Sequence, residues 1–187
     1  MNLSKLFLCL MFVGLVSCAS SGPKLGSGMG MNPHKPNLDN TLVINKRDGE
    51  FRVGTLKASS TEMDKILNGN LMNCNSTTFS MPRSNTVGSF IREVFENELS
   101  TAKKYSTNGN AINVVIKSLT GATSKLNVGT WTVIADYTED DKTMTVETVT
   151  SYESKVSMLT SCSNTANVFE EAVADNFVEY FKRKTNK

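Results

Sequence analysis

Between residues 112 and 152 the chain carries three successive runs in which apolar and polar side chains alternate, and a helical apolar period flanks them on each side. Nothing else in the sequence narrows the choice of folds so far. Ile112, Val114 and Ile116 make the first run. Trp131, Val133, Ala135 and Tyr137 share a face of the second, opposite Thr130, Thr132 and Asp136. Met144, Val146 and Tyr152 share a face of the third, opposite Thr143, Thr145 and Glu147. Period-two patterning with this much threonine predicts antiparallel strands that have one buried and one wetter side. Upstream, Val87, Phe90, Ile91, Val94, Phe95, Leu99 and Ala102 recur at helical spacing and predict a helix over about 86–104, capped by Ser84 or Asn85. Downstream, Ala166, Phe169, Ala172, Val173, Phe177, Tyr180 and Phe181 predict a second helix, capped within Ser163 to Thr165, with Lys182, Arg183 and Lys184 at its negative end. Glu96, Glu98, Glu170 and Glu171 read as occupants of the solvent faces of these two helices.

Two further strands are expected at Thr41 to Asn45 and Phe51 to Leu56, joined at Asp48-Gly49, a tight-hairpin signal. Residues 59–85 read as a polar, irregular stretch with at most a helical turn or two at Thr61 to Leu67. The order β-β-α-β-β-β-α implies an α+β fold, a mainly antiparallel sheet with both amphipathic helices packed on one face. If the strand at 51–57 runs up, the first helix returns down, the meander runs up, down and up, and the second helix returns down. Both helices then start at the same end of the sheet.

The N-terminus is an address. Lys5 precedes an apolar run from Leu6 to Val16, too short to span a bilayer, so residues 1–17 read as a signal peptide. Leu15-Val16-Ser17-Cys18 resembles the lipobox of bacterial lipoproteins. The resemblance implies that the Cys18 thiol takes a diacylglycerol group, that the bond before it is cut, and that the freed amine accepts a further acyl chain such as palmitate. Each buried methylene contributes about 0.8 kcal/mol, so two or three chains hold a protein durably to a membrane. Ala19, standing where an aspartate would signal inner-membrane retention, implies the outer membrane, with the domain facing the periplasm. Residues 18–40 are then the acylated cysteine and a flexible Ser-, Gly- and Pro-rich tether, in which His34 is expected to be solvated, and residues 41–187 form one periplasmic domain.

Cys9 leaves with the signal and Cys18 is modified, so Cys74 and Cys162 remain in an oxidising compartment. The default expectation is a Cys74–Cys162 disulfide, the alternative two separate buried thiols. The shared start of the two helices supports the bond, because Cys74 precedes the first and Cys162 the second.

Twenty basic against eighteen acidic residues, a net charge of +2, give no reason to expect a nucleic-acid partner. The single histidine lies in the tether, no G-x-S-x-G or C-x-x-C occurs, and the Gly-rich run at 26–30 follows no strand. The carboxylates of Thr138 to Lys142 lack the alternating ligands of a calcium loop. No catalytic residue, metal or cofactor is therefore expected, and the chain does not read as an enzyme. Phe95-Glu96-Asn97-Glu98-Leu99 through Tyr105, then Ile112 to Leu119, looks like the helix-to-strand passage of small Gram-negative lipoproteins, among them the lipopolysaccharide-assembly and YajG-like lipoproteins. That resemblance implies a scaffold or assembly role in the envelope, through a protein partner, and carries over no functional residue except Cys18. The alternatives are a lipid-, glycan- or peptide-binding carrier or sensor, and an enzyme whose site the sequence conceals. The outward threonines 130, 132, 143 and 145 offer a contact surface or simple solvation. Replacing Cys18 with Ser should abolish acyl labelling and release the protein from membranes; unchanged retention in the membrane fraction would defeat the lipidation reading.

Overall fold

The computed structural model describes residues 29–31, 34–74, 77–123, 128–153 and 158–185. In chain order its elements are β1 (Met29–Gly30), α1 (Leu38–Asn45), β2 (Phe51–Ala58), α2 (Thr61–Asn68), β3 (Leu71–Cys74), β4 (Thr77–Ser80), α3 (Val87–Thr101), β5 (Asn110–Thr123), β6 (Val128–Glu139), β7 (Lys142–Glu153) and α4 (Met158–Thr185), with a 3-10 turn at Pro82–Ser84. The fold is α+β, as the sequence pattern requires.

The main sheet has the order β2-β5-β6-β7. Its last three strands are an antiparallel meander, while β2 runs parallel to β5. Parallel neighbours need a crossover, and α3 supplies it, so the strand directions follow the predicted parity. Asp140 and Asp141, both with positive φ (48° and 59°), make the two-residue turn between β6 and β7. The inner face of the sheet carries the predicted set: Ile112, Val114, Ile116, Trp131, Val133, Ala135, Tyr137, Val146 and Tyr152 are buried and Met144 is half-buried against them.

Against that face α3 and α4 lay an aromatic layer. Phe95 stacks on Phe177 with ring centroids 4.3 Å apart, Tyr137 stacks on Tyr180 at 4.8 Å, and Trp131 meets Phe169 at 4.9 Å. Aromatic pairs add about 0.5–1.5 kcal/mol beyond the area they bury. Among the described residues no helix is both long and apolar enough to cross a membrane.

Four expectations change. Residues 41–45 are not a strand but the end of α1, whose cap is Asn37, accepting the Asp39 N–H at 2.9 Å. Asp48-Gly49, with Gly49 at φ 95°, therefore leads a helix into a strand and closes no hairpin. The apolar Leu42 to Ile44 run suits either element; the Asn37 cap and the burial of Ile44 decide for helix. Residues 59–85 are not irregular: Ser60 caps α2 through the Met63 N–H at 3.1 Å, and β3 and β4 form a hairpin whose Met72 and Phe79 are buried. Residues 29–31, expected in the tether, belong to the folded domain: β1 pairs in parallel with β4 and Met31 is buried. Finally, α4 starts at Met158, ahead of the expected caps. Thr165 is then an interior residue: its carbonyl accepts the Trp131 Nε1–H at 2.8 Å and its hydroxyl meets that of Tyr152 at 2.7 Å.

One polar side chain ties α4 to the sheet. Asn176 is fully buried; its Nδ2 donates to the Val133 and Val146 carbonyls at 2.9 and 3.3 Å, and its Oδ1 accepts the Tyr137 hydroxyl at 2.8 Å. A buried donor or acceptor left without a partner costs roughly 1–3 kcal/mol. Asn176→Leu should therefore lower the urea midpoint by the equivalent of about 2–4 kcal/mol, and Tyr137→Phe by roughly half of that; equal, near-zero effects would show that the bonds contribute nothing net.

Candidate functional site

Three charged side chains from distant parts of the sequence meet where the N-terminal segment crosses α3 and α4. His34 Nε2 lies 2.9 Å from Glu98 Oε1, and His34 Nδ1 lies 2.8 Å from Glu170 Oε1. The Lys35 backbone N–H also donates to Glu170 Oε1, at 2.7 Å, and Asn40 Nδ2 donates to Glu98 Oε1 at 3.2 Å. The His34 side chain is 2% exposed and that of Glu98 0%. Around them opens a cleft of about 320 Å³ whose further carboxylates are Glu171 and Asp175.

Each contributing element has a local reason. Pro36 stands just ahead of the Asn37 cap, which turns the chain into α1 and places Asn40 over the cluster. Thr86 caps α3 through the Ser89 N–H at 3.1 Å and fixes its entry; Glu98 then falls four residues after Val94 and three after Phe95, on the buried stripe. Glu170 follows the buried Phe169 on α4.

Burial by itself would lower the His34 pKa, but the hydrogen bonds and charges of Glu170 and Glu98 outweigh it and raise the value from 6.5 to about 9. The ring is thus an imidazolium at neutral pH with both N–H groups spent, which leaves no lone pair for general-base work. Burial and the negative charges of Asp175 and Glu170 raise Glu171, and burial together with Glu98 raises Asp175 against the Thr150 hydrogen bond. The cluster is a charged clasp with an excess of negative charge.

A second buried cluster closes the other end of α4. Arg47 Nη2 reaches both Glu139 oxygens, at 2.8 and 2.6 Å, the Tyr180 hydroxyl donates to Glu139 Oε2 at 2.8 Å, and Lys184 Nζ stands 3.4 Å away. The Arg47 guanidinium also lies 4.6 Å over the Phe51 ring. Burial pushes the Glu139 carboxyl up, but Tyr180, Arg47 and Lys184 together bring it below its usual value. This cluster joins the β6–β7 turn to α1 and the end of α4, and its acceptors are fully engaged by the chain's own donors.

The sequence reading placed several of these residues wrongly. His34 is no solvated tether residue, and Glu98 and Glu170 do not face open solvent. Glu139, one of the carboxylates of Thr138 to Lys142, is 2% exposed. The signal was present in the periodicity: Glu98 sits in the apolar stripe of α3, and Glu139 continues the inward series 131, 133, 135, 137. Cys162 is buried inside α4 rather than ahead of it, and Cys74 ends β3. The side chain of Cys74, like Cys18 and residues 1–17, lies outside the described residues. Thr132, Thr143 and Thr145 stand on the uncovered face of the sheet, Thr143 hydroxyl-bonded to Thr138 at 2.8 Å. Among the described residues no group of His, Cys, Asp and Glu is arranged to hold a metal ion.

No protein-family model and no curated protein matches the chain. Solved structures similar to it include the following two. A Xanthomonas campestris protein of the DUF330 family shares 11% identity at a TM-score of 0.48, over 86% of this chain and 92% of that one. An uncharacterized protein shares 6% identity at a TM-score of 0.41, over 86% of this chain and 98% of that one.

The clasp gives a pH dependence with a definite sign. Because the folded pKa of His34 lies above its unfolded value, docking of the N-terminal segment is fully supported below pH 6.5 and weakens as pH rises through about 9. An NMR titration of the single histidine should have its midpoint near 9, and Glu170→Gln should move it down; a midpoint at 6.5 in the unaltered protein would show the ring to be solvated.

Proposed function

We propose that the chain is an acyl-anchored lipoprotein of the bacterial envelope, held to the outer membrane through Cys18 and facing the periplasm, and that it acts as a non-enzymatic scaffold or assembly factor through protein contacts. The observation that carries this reading is the clasp. The segment that follows Cys18 is fastened to the folded domain at Met29 to Met31 and again at His34, so a membrane anchor would hold the domain close. Eleven residues from Cys18 to Met29 span at most about 40 Å. A tether ending at Asn40 would reach roughly twice as far when extended.

Two further features favour a recognition role over chemistry. The only histidine in the chain is fixed as a cation between two carboxylates. Among the described residues, a cleft bordered by Ile66, Leu71, Met72, Leu119 and Trp131 measures about 250 Å³, below the roughly 300–1,000 Å³ of typical small-molecule sites. That cleft is the foothold of the alternative reading, a carrier of a lipid, glycan or peptide.

The Cys74–Cys162 disulfide belongs to the same proposal. The strand that ends at Cys74 packs against the helix that carries Cys162, and the compartment is oxidising on this reading. Peptide mapping of the exported protein without reductant should show the two cysteines linked, whereas two freely alkylated thiols would reject the bond. In-cell crosslinking should capture a discrete envelope protein on the anchored chain; a purified domain that instead carries a stoichiometric small molecule, with no crosslinked protein, would replace the scaffold by the carrier.

A further inference from the structure

We propose that the groove formed by the β4 edge and the Glu98–Glu170 pair is a docking site for an extended, arginine-bearing segment of a partner protein, and that the chain's own N-terminal segment fills it in the partner's absence. This deepens the recognition reading above and rests on it, but it is tested in solution, where the membrane anchor plays no part.

The manner in which the segment is held is that of a bound peptide. Met29 and Gly30 add in parallel to β4, opposite Phe79 and Ser80, and the Met31 N–H donates to the Ser80 carbonyl at 3.2 Å. Strand addition of this kind takes affinity from the main chain and selectivity from a few side-chain pockets. The pockets here are the buried site of Met31 and the clasp around His34. Without β1, one edge of β4 is left open, since β3 lies on its other side.

The clasp is chemically better suited to another residue than the one it holds. An imidazolium has two N–H donors, and both are used, one on Glu98 Oε1 and one on Glu170 Oε1. Asn40 also donates to Glu98 Oε1, so Glu98 Oε2 is left buried with no hydrogen-bond partner. A guanidinium carries five N–H donors in a planar fork that matches a carboxylate at both oxygens. Glu171 and Asp175 on α4 add negative charge to the cleft, against which His34 and Lys35 are the only cations lining it among the described residues. An arginine in place of the imidazolium would satisfy the orphaned oxygen, and the adjoining cleft of about 320 Å³ has room for its longer stem.

The segment is also held by little. A two-residue strand, one buried methionine and one clasp are few contacts, which places it at the readily opened end of the structure. Of the segment only Met31 joins the hydrophobic core, whose other members begin at Ile44.

The test uses the full chain carrying Cys18→Ser and His34→Ala, which keeps it soluble and loosens its own segment. The probes are the synthetic peptide Gly-Met-Gly-Met-Asn-Pro-Arg-Lys-Pro and the same peptide with alanine in place of arginine. The arginine peptide should bind at least tenfold more tightly than the alanine peptide, Glu98→Gln should erase that preference, and the chain with His34 intact should bind more weakly because its own segment competes. Equal binding of the two peptides, or no binding to a chain whose circular dichroism is that of the unaltered protein, would overturn the proposal. If His34→Ala does not fold, His34→Arg decides the matter: hydrogen-exchange protection at the Met31 amide should rise, and protection that is unchanged or lower overturns it. Binding of the soluble chain to anionic vesicles through this face in preference to the arginine peptide would overturn it as well.

Discussion

The burial of one face of a four-stranded sheet beneath two helices is the constraint from which the remaining structure follows. Phe95 and Phe177 from the helices interlock with Tyr137 of β6, and Phe169 of α4 packs on Trp131 of the same strand. Close-packed rings admit few alternative arrangements, so α3 and α4 are fixed in rotation as well as in position. Fixing their rotation aims Glu98 and Glu170 at the same point in space, and that point is where the N-terminal segment is caught.

Polar groups placed in apolar register carry the specificity. Glu98, Glu139 and Asn176 each stand where the local period calls for an apolar side chain, and each is buried. A buried carboxylate must find a partner or lose its charge, and the partners come from far along the chain: His34 for Glu98, Arg47 for Glu139. Both partners flank α1, so the short helix is pinned at its two ends by the carboxylates it covers. Asn176 does the same for α4, reading the carbonyls of β6 and β7 at one position and so fixing the register of helix on sheet. Hydrophobic packing alone tolerates sliding; these contacts do not.

Local pattern and long-range packing divided the chain unevenly. The helix at 87–101 and the meander were legible because their periods are long and unbroken, and strand parity followed from connectivity alone. The segment 41–45 was not, because three apolar residues fit a strand or a helix equally well and the decision rests on Asn37 and on the burial of Ile44. The hairpin of β3 and β4 escaped because its strands are four residues each and turn-rich neighbours mask their alternation. Polar composition at 29–36 suggested a free tether, yet a segment with little apolar surface can still be ordered where main-chain pairing and two carboxylates await it.

The α+β class, the inward residues of the meander and of both long helices, and the lipobox-like Leu15-Val16-Ser17-Cys18 are legible in the chain alone, since periodicity and short motifs are encoded among near neighbours. That His34, Glu98 and Glu170 meet, that Glu139 is buried and that Met29–Gly30 become a strand follows from long-range packing. Those facts depend on contacts spanning from 41 residues, for Glu139 with Tyr180, to 136, for His34 with Glu170. No local window holds both partners of such a contact, and a charge in an apolar stripe reveals its purpose only when the opposing charge is brought to it.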